Sequence, residues 1–377
     1  MTASDTDAET TGGTDRDTDR FAVDPLLVDA ATNLFASTCD FDTVQAAEGA
    51  GWARSVWDAV AGAGFDRIGL PEAAGGSGGT LQDAAEVLRI AGAHAAPIPW
   101  AETGLVGGWA LVEAGLALPD GPITVVSGAP GDALAGRGED DGSIVLSGHA
   151  GRVAWADRAD VIVAVLAVDG ETVVAAIDPA TVRLEPMTNL AGEPRPTVHL
   201  DGVTVPATAV GRPADPATMA ERFRLRGTRG RVMLMAGALG AMSELTVRYT
   251  DDRQQFGRPV GRFQAVQQHL VWGAQDAAIA TVTARVAAAQ ASGHLLGARF
   301  EIAAARSVAD ECATTATRWA HQAHGAMGMT QEYALHHLSR RLWAWRHEWS
   351  GPGEWPGVVG AMADAAGPDG LYPLITS

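Results

Sequence analysis

Apolar residues change their spacing twice along this chain, and that double switch confines it to one fold class. From Ile123 to about Arg212 they fall in short β-branched runs cut by Gly, Asp and Pro. Thr124-Val125-Val126-Ser127, Ile144-Val145-Leu146, the run from Val161 to Val165 and the run from Thr172 to Ile177 are examples. Strands at such short, regular spacing predict an antiparallel barrel or sandwich, and Asp169-Gly170 between two runs predicts a hairpin turn. Upstream the period is helical: Leu26, Leu27, Ala30, Ala31 and Leu34 share a face, Val56, Trp57, Val60 and Ala61 continue it, and 81–93 reads as a further amphipathic helix. Downstream, 229–251, 263–291, 301–320 and 332–346 are long, alanine-rich and apolar at i, i+3, i+4. Helices of that length on short links pack as an antiparallel bundle. The predicted architecture is therefore α+β: an N-terminal helical domain over 21–118, a middle antiparallel β-barrel domain over 119–215, and a C-terminal four-helix bundle over 216–377. Residues 1–20 carry too little apolar surface to offset their ordering entropy, and predict a disordered acidic tail.

Composition then removes function classes. A chain of 377 residues can build more than one core, and no apolar run is long enough to span a bilayer. The N-terminus lacks the basic-then-apolar pattern of a secretory signal, which predicts a cytoplasmic protein. Cys39 and Cys312 lie far apart and outside any CxxC pattern, so reduced thiols are expected rather than a disulfide or zinc framework. A net charge of −18 opposes binding to nucleic acid. There is no lysine at all, which excludes Schiff-base, Walker and kinase-type lysines. Any phosphate must instead be met by arginine, backbone amides or helix N-termini.

The densest motif runs from Arg253 to Gln267, RQQFGRPVGRFQAVQ. One long helix stops there, the chain turns through Gly257 and Pro259, and a second helix starts near Phe263. An arginine and free helix amides at one corner suit a dinucleotide pyrophosphate, although an ordinary helix hairpin would look the same. The segment resembles the helix-turn-helix signature of acyl-CoA dehydrogenases. Two further segments agree in order: 69–79, GLPEAAGGSGG, is similar to that family's N-terminal motif, and 321–330, HQAHGAMGMT, to its C-terminal glycine turn. The resemblance implies the acyl-CoA dehydrogenase fold, FAD as cofactor, and Arg253, Phe256, Gln264, Gln322, His324, Gly325 and Ala326 as contacts to the FAD of a neighbouring subunit. It further implies α,β-dehydrogenation of an acyl-CoA thioester in lipid metabolism, with electron-transferring flavoprotein as the usual acceptor.

The departures from the family are as informative. Its base is a carboxylate just ahead of a Gly-Thr pair, and here Ser350 stands at the expected position, with Pro352 in place of the threonine. A serine hydroxyl cannot serve as that base unaided. The alternative base position on the preceding helix falls near Gly227, with no carboxylate beside it. The loop 126–134 and the turn 153–157 also depart from the family pattern on the face that would hold the flavin ring and substrate. The chain therefore resembles the smaller, base-lacking subunit of actinobacterial heteromeric acyl-CoA dehydrogenases, α2β2 assemblies that act on steroid side-chain or other bulky acyl-CoA thioesters. Two alternatives stand beside that reading: a self-sufficient homotetramer with a displaced base such as Glu348, and a non-catalytic structural subunit.

Other motifs carry competing readings. Ser77 matches a G-x-S-x-G hydrolase elbow, but Pro71-Glu72-Ala73-Ala74 ahead of it is not a strand. His321, His324, His336 and His337 cluster without a supporting Cys or Asp, and no metal is expected. Trp343, Trp345, Trp349 and Trp355 are expected as helix packing. Arg340, Arg341 and Arg346 among them suit either a polar contact or a solvated face.

Overall fold

A computed structural model describes residues 22–129 and 131–376. The tail expected over 1–20 lies outside the described residues. Helices α1 (Pro25–Thr38), α2 (Phe41–Ala50), α3 (Arg54–Gly62), α4 (Leu81–Ala93) and α5 (Trp109–Glu113) build the N-terminal part. A π-helical segment, Ala101–Gly108, runs directly into α5. Capping chemistry sets the starts: Pro25 sits in the first turn of α1 behind Asp24, and Thr80 and Asp83 form a reciprocal capping box on α4.

The middle region is one eight-stranded sheet. Its strands are β1 (Ile123–Val125), β2 (Ala133–Gly138), β3 (Ile144–Ala150), β4 (Val161–Val168), β5 (Glu171–Ile177), β6 (Arg183–Glu185), β7 (Thr197–Val205) and β8 (Val210–Gly211). The order is β6-β7-β3-β2-β4-β5-β8, with β1 beside β4. Most pairings are antiparallel, as the strand spacing predicts; β4 is the exception, running parallel to β1 and meeting β2 in parallel at one position. The Asp169-Gly170 hairpin forms, closing β4 on β5 with both turn residues at positive φ. Inward residues such as Leu146, Ile162, Ile177, Val198 and Leu200 give the sheet its own apolar cluster.

The rest is helical: α6 (Met219–Asp252), α7 (Gln264–Gly293), α8 (Arg299–His324), α9 (Leu335–Trp345) and α10 (Glu354–Thr376). The first four correspond to the predicted helices, with α6 extended ten residues upstream of Arg229. Helix α10 is an addition; Gly367, at φ 66°, breaks it into two pieces. Helix α4 lies so close to α6 that a Cβ on Gly237 would run into the Arg89 carbonyl, and one on Gly92 into the Leu234 backbone. That contact joins the N-terminal helices and the bundle in one continuous apolar core.

Both cysteines are buried free thiols, pushed up to about 12 chiefly by burial. Ser77 donates to the Gly64 carbonyl at 2.7 Å and follows a 3-10 turn, Glu72–Ala74, rather than a strand, so it ties down a loop. No helix among the described residues is long and apolar enough to cross a membrane.

Candidate active site

Between the sheet and the bundle lies a cavity of about 340 Å³. The two segments that depart from the family pattern supply part of its wall, through Ser127, Ala129 and Ala154. Arg231 on α6 and Trp343, His347, Glu348 and Trp349, at and beyond the end of α9, also line it. Ser350, at the sequence position expected for the base, is not among the lining residues; its hydroxyl turns back to the Trp349 carbonyl.

Glu348 does face the cavity, but both of its oxygens are taken. Arg195 Nε donates to Oε1 at 2.8 Å, and Arg231 Nε donates to Oε2 at 2.5 Å. Burial alone would raise its carboxyl; the two guanidinium groups outweigh burial and hold it down to about 2. A carboxylate so stabilised has lost most of its basicity. The pairing extends in both directions. Arg231 Nη2 also holds Glu102, Arg195 Nη2 reaches Glu193 at 2.9 Å, and Arg341 Nε reaches the other oxygen of Glu193 at 3.0 Å. The alternating line Glu102–Arg231–Glu348–Arg195–Glu193–Arg341 is charge-balanced and almost wholly buried. Arg195 also stacks over Trp155 at 4.3 Å. Glu102 was not singled out by sequence. It lines the cavity from the π-helical segment, and its Oε2 has no hydrogen-bond partner among the described residues.

The predicted cofactor contacts gather elsewhere, where α6 and α8 both end. Tyr249, one turn before Arg253, donates its hydroxyl to the His324 carbonyl at 3.2 Å, which brings the Arg253 corner beside the Gly325 turn. Arg253, Gln264, Gln322, Gly325 and Ala326 are exposed, and Phe256 is 92% exposed with φ 49°. His324 is different. Its ring is buried, stacks on Tyr249 at 4.4 Å and meets Tyr333 at 5.1 Å, so it packs the corner from inside the chain.

These residues fit a flavin dinucleotide. Arg253 has no carboxylate partner among the described residues, and α7 begins without a side-chain cap, leaving first-turn amides free for phosphate. Gly325 turns with φ 59° and ψ −138°, and nothing stands within 4 Å of where a Cβ would lie, so backbone can approach a ligand closely.

The histidines fall into two groups. His321 contacts Ser339, while His336 and His337 lie near Glu48, with His337 Nδ1 at 3.4 Å from its Oε1. Arg340 Nη1 already spans both Glu48 oxygens at 2.9 Å, an arrangement that offsets the carboxylate a divalent cation would need. Of the tryptophans, Trp345, Trp349 and Trp355 are buried, whereas Trp343 is half exposed on the cavity wall beneath Arg346.

Residues 221–351, which span α6 to the Trp349 loop, match the acyl-CoA dehydrogenase C-terminal domain. Across 272 residues the chain is 30% identical to acyl-CoA dehydrogenase IpdE2 of Mycolicibacterium smegmatis, covering 71% of this chain and 74% of the relative. The chain belongs to the acyl-CoA dehydrogenase family. Acyl-CoA dehydrogenases oxidise acyl-CoA thioesters. The fold agrees: a chain of the ChsE4-ChsE5 complex from Mycobacterium tuberculosis superposes with a TM-score of 0.84 at 21% identity, over 91% of this chain and 98% of that one. The Tcur3481-Tcur3483 steroid ACAD superposes with a TM-score of 0.80 at 23% identity, over 90% and 98%. Within this acyl-CoA dehydrogenase, helix-corner motifs of the family are present while a free carboxylate on the loop after α9 is not.

Proposed function

We propose that this chain is the base-lacking subunit of a heteromeric, FAD-dependent acyl-CoA dehydrogenase, and that it lends its Arg253 corner to flavin bound in a partner's pocket. The observation that carries this reading is Glu348, the carboxylate on the family's catalytic loop, locked between Arg195 and Arg231. Distance supports it. Arg231, at the cavity, and Arg253, at the corner, are 22 residues apart on one helix, or about 33 Å along its axis. A separation of that size favours the corner and the cavity of one chain serving different flavins. An apolar stripe on α7, Val271, Ile279 and Val282, each more than half exposed, is available to cover such a neighbour.

Bound FAD would supply the acceptor for the substrate's β-hydride. This chain's residues would do the rest of their work on the dinucleotide. Arg253 and the first-turn amides of α7 would hold phosphate, Gln264 and Gln322 would donate to its polar edges, and Gly325 with Ala326 would let backbone pass close. Phe256 would supply an apolar contact. The α-proton would leave to a carboxylate of the partner. One solved structure that this chain resembles is described as a steroid ACAD, which supports a steroid-class acyl-CoA as the proposed substrate, and electron-transferring flavoprotein is the proposed acceptor.

One observation favours a second reading. Glu102 lines the cavity with one oxygen unpaired, and could serve a self-sufficient enzyme as a displaced base. The test is to purify the tagged chain from its native host. A yellow assembly containing a second acyl-CoA dehydrogenase chain, with bleaching by acyl-CoA unaffected by Glu102→Gln here, is the expected result. A homomer whose bleaching is abolished by Glu102→Gln establishes the second reading instead.

A further inference from the structure

Position 227 has no side chain, and the space is filled by another residue. A Cβ built on Gly227 would fall inside the indole of Trp349. That indole is 7% exposed, meets Phe223 edge-on at 5.6 Å between ring centroids, and forms part of the cavity wall. It is held there at some conformational cost. Trp349 has φ 58° and Ser350 φ 98°, two consecutive non-glycine residues in a region that L side chains avoid.

Three anchors keep the loop in that shape. Before it, Arg306, fully buried and paired with Asp310, donates to the Trp345 and Arg346 carbonyls at 2.9 and 2.8 Å. Within it, Arg195 and Arg231 grip Glu348 from two separate parts of the fold. After it, Trp355 Nε1 donates to the Trp349 carbonyl at 3.3 Å. Strain that persists under this many constraints is a feature the surroundings enforce.

We propose that Trp349 is a wedge that closes this chain's own cavity to an acyl chain, and that Glu348 is the clasp holding the wedge shut. The indole fills the space over Gly227 on α6 and forms part of the cavity wall, so the cavity cannot extend past that point of the helix. This deepens the proposed function and rests on the reading of the cavity as the family's acyl-CoA site. It assigns Glu348 a positioning role instead of an acid–base one.

The test counts acyl-CoA bound per copy of this chain in the assembly as purified, for butanoyl-, octanoyl- and palmitoyl-CoA, by equilibrium dialysis. A partner's own site contributes equally to all variants, so only the increment matters. Trp349→Ala is expected to add one site per copy whose affinity rises about three- to fourfold per methylene, since each buried methylene brings about that gain. Trp349→Phe, which keeps an aromatic ring there, should add much weaker length dependence and covers the case in which the alanine variant does not fold. Glu348→Gln should add the site in part, which loss of a base would not do. No increment in folded Trp349 variants, when this chain still binds the CoA thioesters with no dependence on acyl length, overturns the wedge and leaves the cavity reading standing. A wild-type chain that already shows the length-dependent site also overturns it. No CoA thioester bound per copy of this chain by either the wild type or a variant overturns the cavity reading itself, and the wedge with it.

Discussion

Glu348 and Arg231 meet through a 2.5 Å hydrogen bond although 117 residues separate them, and that contact fixes the loop that follows α9. With Arg195 on its other oxygen, the carboxylate is a structural counter-ion. Replacing it by Ala leaves two buried guanidinium groups short of a partner, which costs about 3–5 kcal/mol when a buried pair is broken. Glu348→Ala should therefore lower the denaturation midpoint sharply, while substrate-driven bleaching of flavin in the surviving folded assembly stays within a few-fold of wild type. Denaturant titration and anaerobic absorbance spectra check the two halves separately.

Arg253 gives the opposite profile. It is exposed and makes no ion pair among the described residues, so Arg253→Ala should change stability by no more than about 0.5 kcal/mol. Flavin content of the purified assembly should fall substantially, because a charge-assisted contact to phosphate is lost. The ratio of flavin absorbance to protein absorbance, read beside a thermal melt, is the measurement. Full flavin occupancy in the variant would remove Arg253 from the cofactor site.

Gly227 and Trp349 should be strongly coupled. Gly227→Ala places a methyl group inside the indole, and overpacking of this kind costs about 1–3 kcal/mol. In a Trp349→Ala background the same substitution should be nearly neutral or slightly stabilising, since alanine favours a helix interior. A double-mutant cycle by chemical denaturation measures the coupling. Additive effects would show that the ring does not rest on Gly227.

Acid should weaken the fold from near neutrality. His94, His321, His324, His336 and His337 are all held below the ordinary imidazole value by burial, His337 down to about 3. A histidine lowered in the folded state takes up its proton more readily when unfolded. The stabilising share of each is thus full above about 6.5 and is lost as pH falls from there, for His337 over a window reaching down to about 3. Glu348 acts in a lower window, contributing above about 4.5 and losing that contribution as pH drops toward 2. Melting curves from pH 7.5 to 5 should show the histidine slope, and His337→Gln should make it shallower.

Much of this was legible in the sequence because it is local. The Asp169-Gly170 turn, the Arg253 to Gln267 corner and the glycine turn after His324 each depend on residues within one motif. The four bundle helices announced themselves by period. Helix α10 did not: Gly357, Gly360, Gly367, Pro368, Gly370 and Pro373 give it the texture of a loop, and Gly367 does interrupt it. The cavity's chemistry was hidden for a different reason. Glu102, Arg195, Arg231 and Glu348 come from four distant parts of the chain, and no spacing rule links them. Likewise Ser350 occupies the expected position by count, yet two left-handed residues turn the loop so that Trp349 and Glu348 form the wall.

The most direct measurement is anaerobic titration of the full chain, purified without any other dehydrogenase chain and supplied with FAD, using an acyl-CoA ladder while flavin absorbance is followed. A chain that lends a corner but holds no free base should show no substrate-driven bleaching alone, and bleaching should appear when a glutamate-bearing acyl-CoA dehydrogenase partner completes the assembly. Rapid, stoichiometric bleaching by the chain alone would contradict the proposal.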